Sequence, residues 1–143
     1  MIASRKKGIG MPKVNIQHVQ GKQLLITGRV HAVIGDQPVD KGGTDLGFTP
    51  TELLLSALGS CMAFNLLAYA QLKNFKMQGL QIEVEDEVSK GPERVSKIGA
   101  KIIIAGDLTE EELTRLLRSA KSCKIHNTLS ATPVIEVALS KVG

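Results

Sequence analysis

The stretch Thr49-Pro50-Thr51-Glu52-Leu53-Leu54-Leu55-Ser56-Ala57-Leu58-Gly59-Ser60-Cys61-Met62-Ala63-Phe64-Asn65-Leu66-Leu67-Ala68-Tyr69-Ala70-Gln71-Leu72 decides the fold. Pro50 suits the first turn of a helix, and Thr49 before it suits the N-cap. Glu52 puts a negative charge in the first turn, where the helix dipole favours one. From Leu53 to Leu72 there is no charged residue. The apolar positions run all the way around rather than along one stripe, the pattern of a helix buried on most of its faces. About 20 apolar residues would also span a bilayer. Ser56, Gly59, Ser60, Asn65 and Gln71 dilute this run, and its flanks read as a soluble domain, so a core helix and no membrane is the expectation. A chain of this length has difficulty enclosing such a helix alone. A dimer that buries it between two chains is the easier solution.

On the N-terminal side, residues 40–49 hold three glycines and no periodicity, which reads as a loop. Before it, Val14, Ile16 and His18 alternate with polar neighbours, and Gln20-Gly21-Lys22-Gln23 looks like a turn. Leu24 to Ile34 is a β-rich run interrupted by Gly28, followed by turn signals at Gly35-Asp36 and Pro38. Residues 13–39 therefore read as a meander or hairpin pair. On the C-terminal side, Leu80, Ile82 and Val84 alternate with Gln81, Glu83 and Glu85. A turn at Ser89-Lys90-Gly91-Pro92 and a second alternation at Ile98, Ala100, Ile102 and Ile104 make residues 79–105 a hairpin. Thr109 and Glu112 form a capping box, and Leu108 with Leu113 the matching hydrophobic staple. Leu113, Leu116, Leu117 and Ala120 are the buried stripe of that helix. Val134 to Leu139 alternates again and reads as a final strand. The order of elements is that of an α+β domain, a long helix packed against antiparallel sheets.

The chain has 143 residues, 43% apolar and 22% charged, and so reads as one folded globular domain over residues 12–143. There is no Trp, one Tyr and three Phe, too few for a platform that stacks single-stranded nucleic acid. Three of the charges behind the formal net +4, Arg5, Lys6 and Lys7, lie in the first ten residues, which hold no Asp or Glu. Residues 1–11 thus read as a flexible basic tail, and no nucleic-acid partner is expected. No apolar signal segment precedes residue 50, so the expected location is the cytoplasm.

Two cysteines are too few for a secreted disulfide scaffold. In a cytoplasm they are reduced thiols, either buried small hydrophobes or reactive groups. Cys61 lies in the middle of the apolar helix. Burial alone would raise its pKa and leave it inert. Reactivity needs a cation, and its own helix offers none between Glu52 and Lys73, so one such as Arg29 must come from elsewhere. Cys123 stands between Lys121-Ser122 and Lys124, with His126 three residues on. If Ser122 caps a short helix through Leu129, Cys123 falls in its first turn, where dipole and lysines favour thiolate. A metal site from Cys61, Cys123, His126 and His18 or His31 has less to recommend it, since no paired C-x-x-C is present. There is no hydrolase elbow around a serine and no phosphate loop at Gly42-Gly43.

The run from Gly42 to Cys61, a glycine-rich loop leading to Pro50, Glu52, a Leu/Ala-rich helix and one Cys, resembles the OsmC/Ohr family, the osmotically inducible and organic hydroperoxide resistance proteins. Cys123-Lys124-Ile125-His126-Asn127-Thr128-Leu129 looks like the second-cysteine motif of that family, and the resemblance covers roughly residues 12–141. It implies an intertwined homodimer with the long helices central, and a thiol-dependent peroxidase for organic hydroperoxides. Cys61 matches the peroxidatic thiol, which becomes a sulfenic acid. Cys123 matches the thiol that resolves it to a disulfide. A dithiol or a lipoylated protein would be the reductant. The redox chemistry resides in the two sulfurs, so no metal, flavin or haem cofactor is implied.

In the family an Arg–Glu pair activates the thiolate, with the Glu directly after the helix Pro. Here Thr51 holds that place and Glu52 follows. Nine helical residues put Glu52 on the opposite side from Cys61 and about 13 Å away, so its implied role is to orient an arginine. Arg29, the only arginine between the tail and Arg94, is the candidate, with Lys22 or Lys41 as other cations. The shift places the chain nearer the uncharacterised OsmC-like branch. The alternative on the same fold is a small-molecule-binding or redox-sensing protein without efficient peroxidase turnover.

Overall fold

The computed structural model describes residues 13–143. The basic tail expected over residues 1–11 lies outside the described residues. The chain forms two compact units. One takes in the described residues up to Pro50 together with Val134–Gly143, and the other is Thr51–Pro133.

The first unit is a three-stranded antiparallel meander of β1 (Val14–Gln20), β2 (Gln23–Gly28) and β3 (His31–Gly35), in the order β1-β2-β3. Leu25 pairs with Ile34 and Ile26 with Val33, so the apolar alternation read from the sequence is in register. Arg29 opens the turn between β2 and β3 with φ at 56°, a left-handed conformation that L-residues other than Gly adopt at some cost.

After β3 the loop is organised by Asp36, which is buried. Its carboxylate accepts the backbone N–H of Gln37 at 2.7 Å, of Thr44 at 3.3 Å and of Leu46 at 3.2 Å, and the Thr44 hydroxyl at 2.6 Å. These bonds hold its pKa below the ordinary carboxylate value, the Thr44 hydroxyl being the largest cause. A side chain at Gly43 would overlap the Gln37 carbonyl, so only glycine permits this closure. Phe48 then returns beside β3, donating its N–H to Ile34 O at 3.0 Å.

The second unit is built on α1 (Pro50–Lys73), whose bounds match the apolar run to a residue. Asn74, in the left-handed region at φ 55°, ends it. β4 (Lys76–Ser89) and β5 (Arg94–Asp107) form one long antiparallel hairpin. α2 (Glu110–Lys121) starts on the expected capping box, with Thr109 accepting from the Glu112 N–H and Glu112 reaching back to the Thr109 N–H. α3 (Lys124–Ser130) follows at once.

Leu58, Met62, Leu66 and Ala70 recur every four residues on α1 and close the core with Leu116, Ala120 and Cys123. Leu80, Ile82 and Val84 of β4 and Ile98, Ile102 and Ile104 of β5 form its wall. Gly59 brings the helix down onto the hairpin, where a Cβ would stand 3.0 Å from Val84 Cγ2.

Two expectations, the final strand and the Ser122 cap, need correction. Within one chain α1 is covered along one stripe, while Phe64 is 70% and Leu72 74% exposed. By length and composition this helix would pass for a membrane span, but its covered stripe packs on β4, β5 and α2 as a core helix does. Val134 to Leu139 is not a strand. A strand exists only when its N–H and C=O groups meet a neighbour, and among the described residues none pairs with this segment; Val134 is 90% and Leu139 98% exposed. Ser122 is not the cap of α3. That place belongs to Cys123 itself.

Candidate active site

Two helices of the second unit meet along matched rows. On α1, Cys61, Asn65 and Tyr69 follow one another at four-residue spacing and so share a face. Opposite them stand Cys123, Ser119 and Arg115, at the same spacing in the reverse direction. The rungs are joined by polar bonds. Tyr69 Oη accepts from Arg115 Nε at 2.9 Å. The Asn65 amide donates to Ser119 O at 3.2 Å, and the Ser119 hydroxyl donates to Asn65 O at 3.2 Å. The third pair is the two thiols, with Cys61 near enough to Cys123 to act on its pKa.

The two thiols differ in surroundings. Cys123 is fully buried at the N-cap of α3, where its Sγ accepts the His126 N–H at 3.2 Å. Burial pushes its pKa up, the His126 N–H pulls it back, and the adjacent Cys61 raises it again, so the net direction is upward. Cys61 is partly exposed. Of the two, Cys61 is thus the less buried, and Cys123 has a backbone N–H ready for negative charge on its sulfur.

The other expected residues stand on other elements. Glu52 is exposed in the first turn of α1, two and a half turns before Cys61 on an unbroken helix, so it does not share the thiol rung. Arg29 belongs to the first unit, exposed in the β2–β3 turn, where it lines a cavity of about 340 Å3 with Lys13 and His31. Among the described residues no three His, Cys, Asp or Glu side chains gather into a metal-binding group. Asn65, Tyr69, Arg115 and Ser119 went unread as site residues. Their four-residue spacing is visible in the sequence, but only the orientation of α2 makes the two rows partners.

A family model described as OsmC-like protein matches residues 42–138, well over half of the chain, and the chain belongs to this OsmC-like family. Solved structures share the fold. An OsmC-like protein from Mycoplasma pneumoniae is 20% identical at a TM-score of 0.77, covering 87% of this chain and 91% of that one. A protein from Psychrobacter arcticus 273-4, described in terms of osmotic stress induction and detoxification, is 24% identical at a TM-score of 0.77, covering 90% and 93%. The organic hydroperoxide resistance protein OhrB of Bacillus subtilis is 21% identical at a TM-score of 0.61, covering 87% and 94%. No curated protein matches the chain.

Proposed function

We propose that the protein is a cytoplasmic thiol-dependent peroxidase for organic hydroperoxides, working as a homodimer. The observation that carries this reading is a thiol pair of unequal exposure, Cys61 reachable and Cys123 buried beside it. The Cys61 thiolate attacks a peroxide oxygen, the O–O bond breaks, and the alcohol leaves with a proton. The Cys61 sulfenic acid is then attacked by Cys123, water leaves, and a disulfide forms. The His126 N–H stabilises the developing Cys123 thiolate. A dithiol or a lipoylated protein restores the thiols. The uncovered face of α1, with Phe64 and Leu67 exposed, suits burial against a second copy. Arg29 and Glu52 are the activating and orienting residues of this reading, and slower peroxide consumption by Arg29→Gln or Glu52→Gln tests them.

One observation favours the rival, a small-molecule-binding or redox-sensing protein. Leu66, Ile102, Ile104, Leu113 and Leu117 line an apolar cavity of about 350 Å3, the size of a small ligand site. The deciding experiment titrates fully reduced protein with cumene hydroperoxide, then counts free thiols and maps the peptides. Rapid loss of both thiols into a Cys61–Cys123 disulfide, abolished by Cys61→Ser, supports the peroxidase. Survival of both thiols in excess peroxide overturns it.

A further inference from the structure

The pocket beside the ladder has a chemistry that peroxide reduction at two sulfurs does not use. Tyr69, Arg115, Arg118, Ser119 and Ser122 line a cavity of about 320 Å3. Arg115 is half-buried and held by neutral groups. Its Nε–H donates to Tyr69 Oη, and its guanidinium carbon stands 5.7 Å from the Tyr69 ring centroid and 5.4 Å from that of Phe75. Among the described residues no carboxylate pairs with it or with Arg118. The serine protons are committed elsewhere: Ser119 donates to Asn65 O and Ser122 to Ser119 O. Among these lining residues, the donors with no partner given are the two Nη groups of Arg115, the Arg118 guanidinium and the Tyr69 hydroxyl, whose oxygen accepts from Arg115. A guanidinium fork fixed by aromatic rings, with a phenol beside it, matches the two oxygens of a carboxylate.

The pocket also has a defined reach. Ser122 at one end precedes Cys123, and Tyr69 at the other lies eight helical residues from Cys61, about 12 Å along α1. We infer that this pocket anchors the carboxylate of a small organic acid whose opposite end, a hydroperoxide or a thiol, reacts at Cys61. The inference rests on Cys61 being the reactive thiol of the proposed function.

Two sources share this chemistry. A hydroperoxy acid would give up one oxygen to the Cys61 thiolate. Its O–O bond breaks, and the alkoxide takes a proton and leaves as the hydroxy acid. A mercapto acid would instead attack Cys61 Sγ in the disulfide, because Cys123 is buried. Cys123 then leaves as a thiolate and takes up a proton. A second mercapto acid resolves the mixed disulfide, freeing Cys61 and releasing the acid's own disulfide.

The test uses the reduced full-length protein and needs no peroxidase activity. 6-Maleimidohexanoic acid and its methyl ester differ in charge at the end remote from the reactive double bond. Alkylation of Cys61, followed by peptide mapping, should be about tenfold faster with the acid, the scale of one charge-assisted carboxylate bond. Arg115→Gln should bring the ratio near one and Arg115→Lys should retain part of it, which a purely structural arginine would not do. If Arg115→Gln fails to fold, Arg118→Gln should lower the same ratio. A ratio near one in the unaltered protein, or one unmoved by these substitutions, overturns the inference. The source is then read by comparing a fatty acid hydroperoxide with its methyl ester, and 6-mercaptohexanoic acid with its amide on the disulfide form. A preference for the acid in either comparison names the source, and none in both overturns the anchor as a functional site. Thiols inert to every peroxide while the maleimide preference holds would instead count against the peroxidase reading alone.

Discussion

Replacing Gly59 by alanine sets two effects of similar size against each other. In a helix interior alanine is better than glycine by about 0.8–1.0 kcal/mol. The added methyl, however, would stand 3.0 Å from Val84 Cγ2 and 4.0 Å from Ile82 Cγ2. Val84 is β-branched and stiff about χ1, and its strand is fixed by pairing with Ala100 on β5, so it has little room to give. Overpacking of this kind costs about 1–3 kcal/mol. The net expectation is a loss of roughly 0–2 kcal/mol. The cause can be isolated. In a Val84→Ala background the clashing methyl is gone, so Gly59→Ala should stabilise by about 1 kcal/mol. The two substitutions should therefore couple favourably by about 1–3 kcal/mol, the same clash read as a double-mutant cycle. The assay is urea unfolding of the fully reduced protein, comparing midpoints at unchanged slope. Stabilisation by about 1 kcal/mol in both backgrounds would refute the close seating of α1 on β4, and with it the placement of Cys61 two residues on.

Leu66 is fully buried at the centre of the core, so Leu66→Ala should cost about 2–5 kcal/mol, read by the same unfolding curves. Asp36 has a lowered pKa in the folded state, so the stability it contributes is present above its unfolded pKa and is lost as pH falls through the folded value. Asp36→Asn should flatten the acid limb of the stability profile, and an unchanged limb would show that its four hydrogen bonds do not organise the loop. For Cys123 the folded pKa is raised, so its contribution is whole below the ordinary thiol pKa and declines as pH rises through the folded value. Cys123→Ala should remove that alkaline decline in reduced protein, as followed by urea midpoints at a series of pH values. Cys123→Ser should leave peroxide-treated Cys61 as a sulfenic acid that dimedone traps, and absence of the adduct would count against Cys61 as the attacking sulfur.

What was legible in the sequence was what is local. The capping box at Thr109 and Glu112 needs only four residues, and it forms as read. The 79–105 hairpin was visible from alternation, though it extends to Lys76 and Asp107 where bulge and turn signals are weak. α1 was legible because Pro50 starts it and its apolar run lasts to its end. Alternation at Val134–Leu139 misled because it states which face a strand would bury, not whether an edge is present to bond it. Ser122 drew the cap assignment because serine is the commoner N-cap residue. Cys123 takes the place instead, since its sulfur meets the His126 N–H. The adjacency of Cys61 and Cys123 was implied by family resemblance alone. A separation of 62 residues carries no distance until α2 folds back along α1.

The unequal exposure of the two thiols follows from helix geometry rather than from anything special to sulfur. The covered stripe of α1 runs through Leu58, Met62, Leu66 and Ala70. Cys61 precedes Met62 by one residue and is turned from it by about 100°. The row Cys61, Asn65, Tyr69 is therefore the shoulder of the buried stripe, where an apolar core gives way to polar bonds and solvent. Asn65 and Tyr69 meet polar partners on α2 because a shoulder position demands them. Cys61, in the same row, meets a thiol. Cys123 lies where the α2 row ends and the chain turns into α3, three residues after the buried Ala120. Its sulfur must point inward to cap α3 and so cannot meet solvent. The fold thus leaves one cysteine partly buried and hides the other by placing them on the shoulder of one helix and the cap of another, while the rungs beside them hold the pair together.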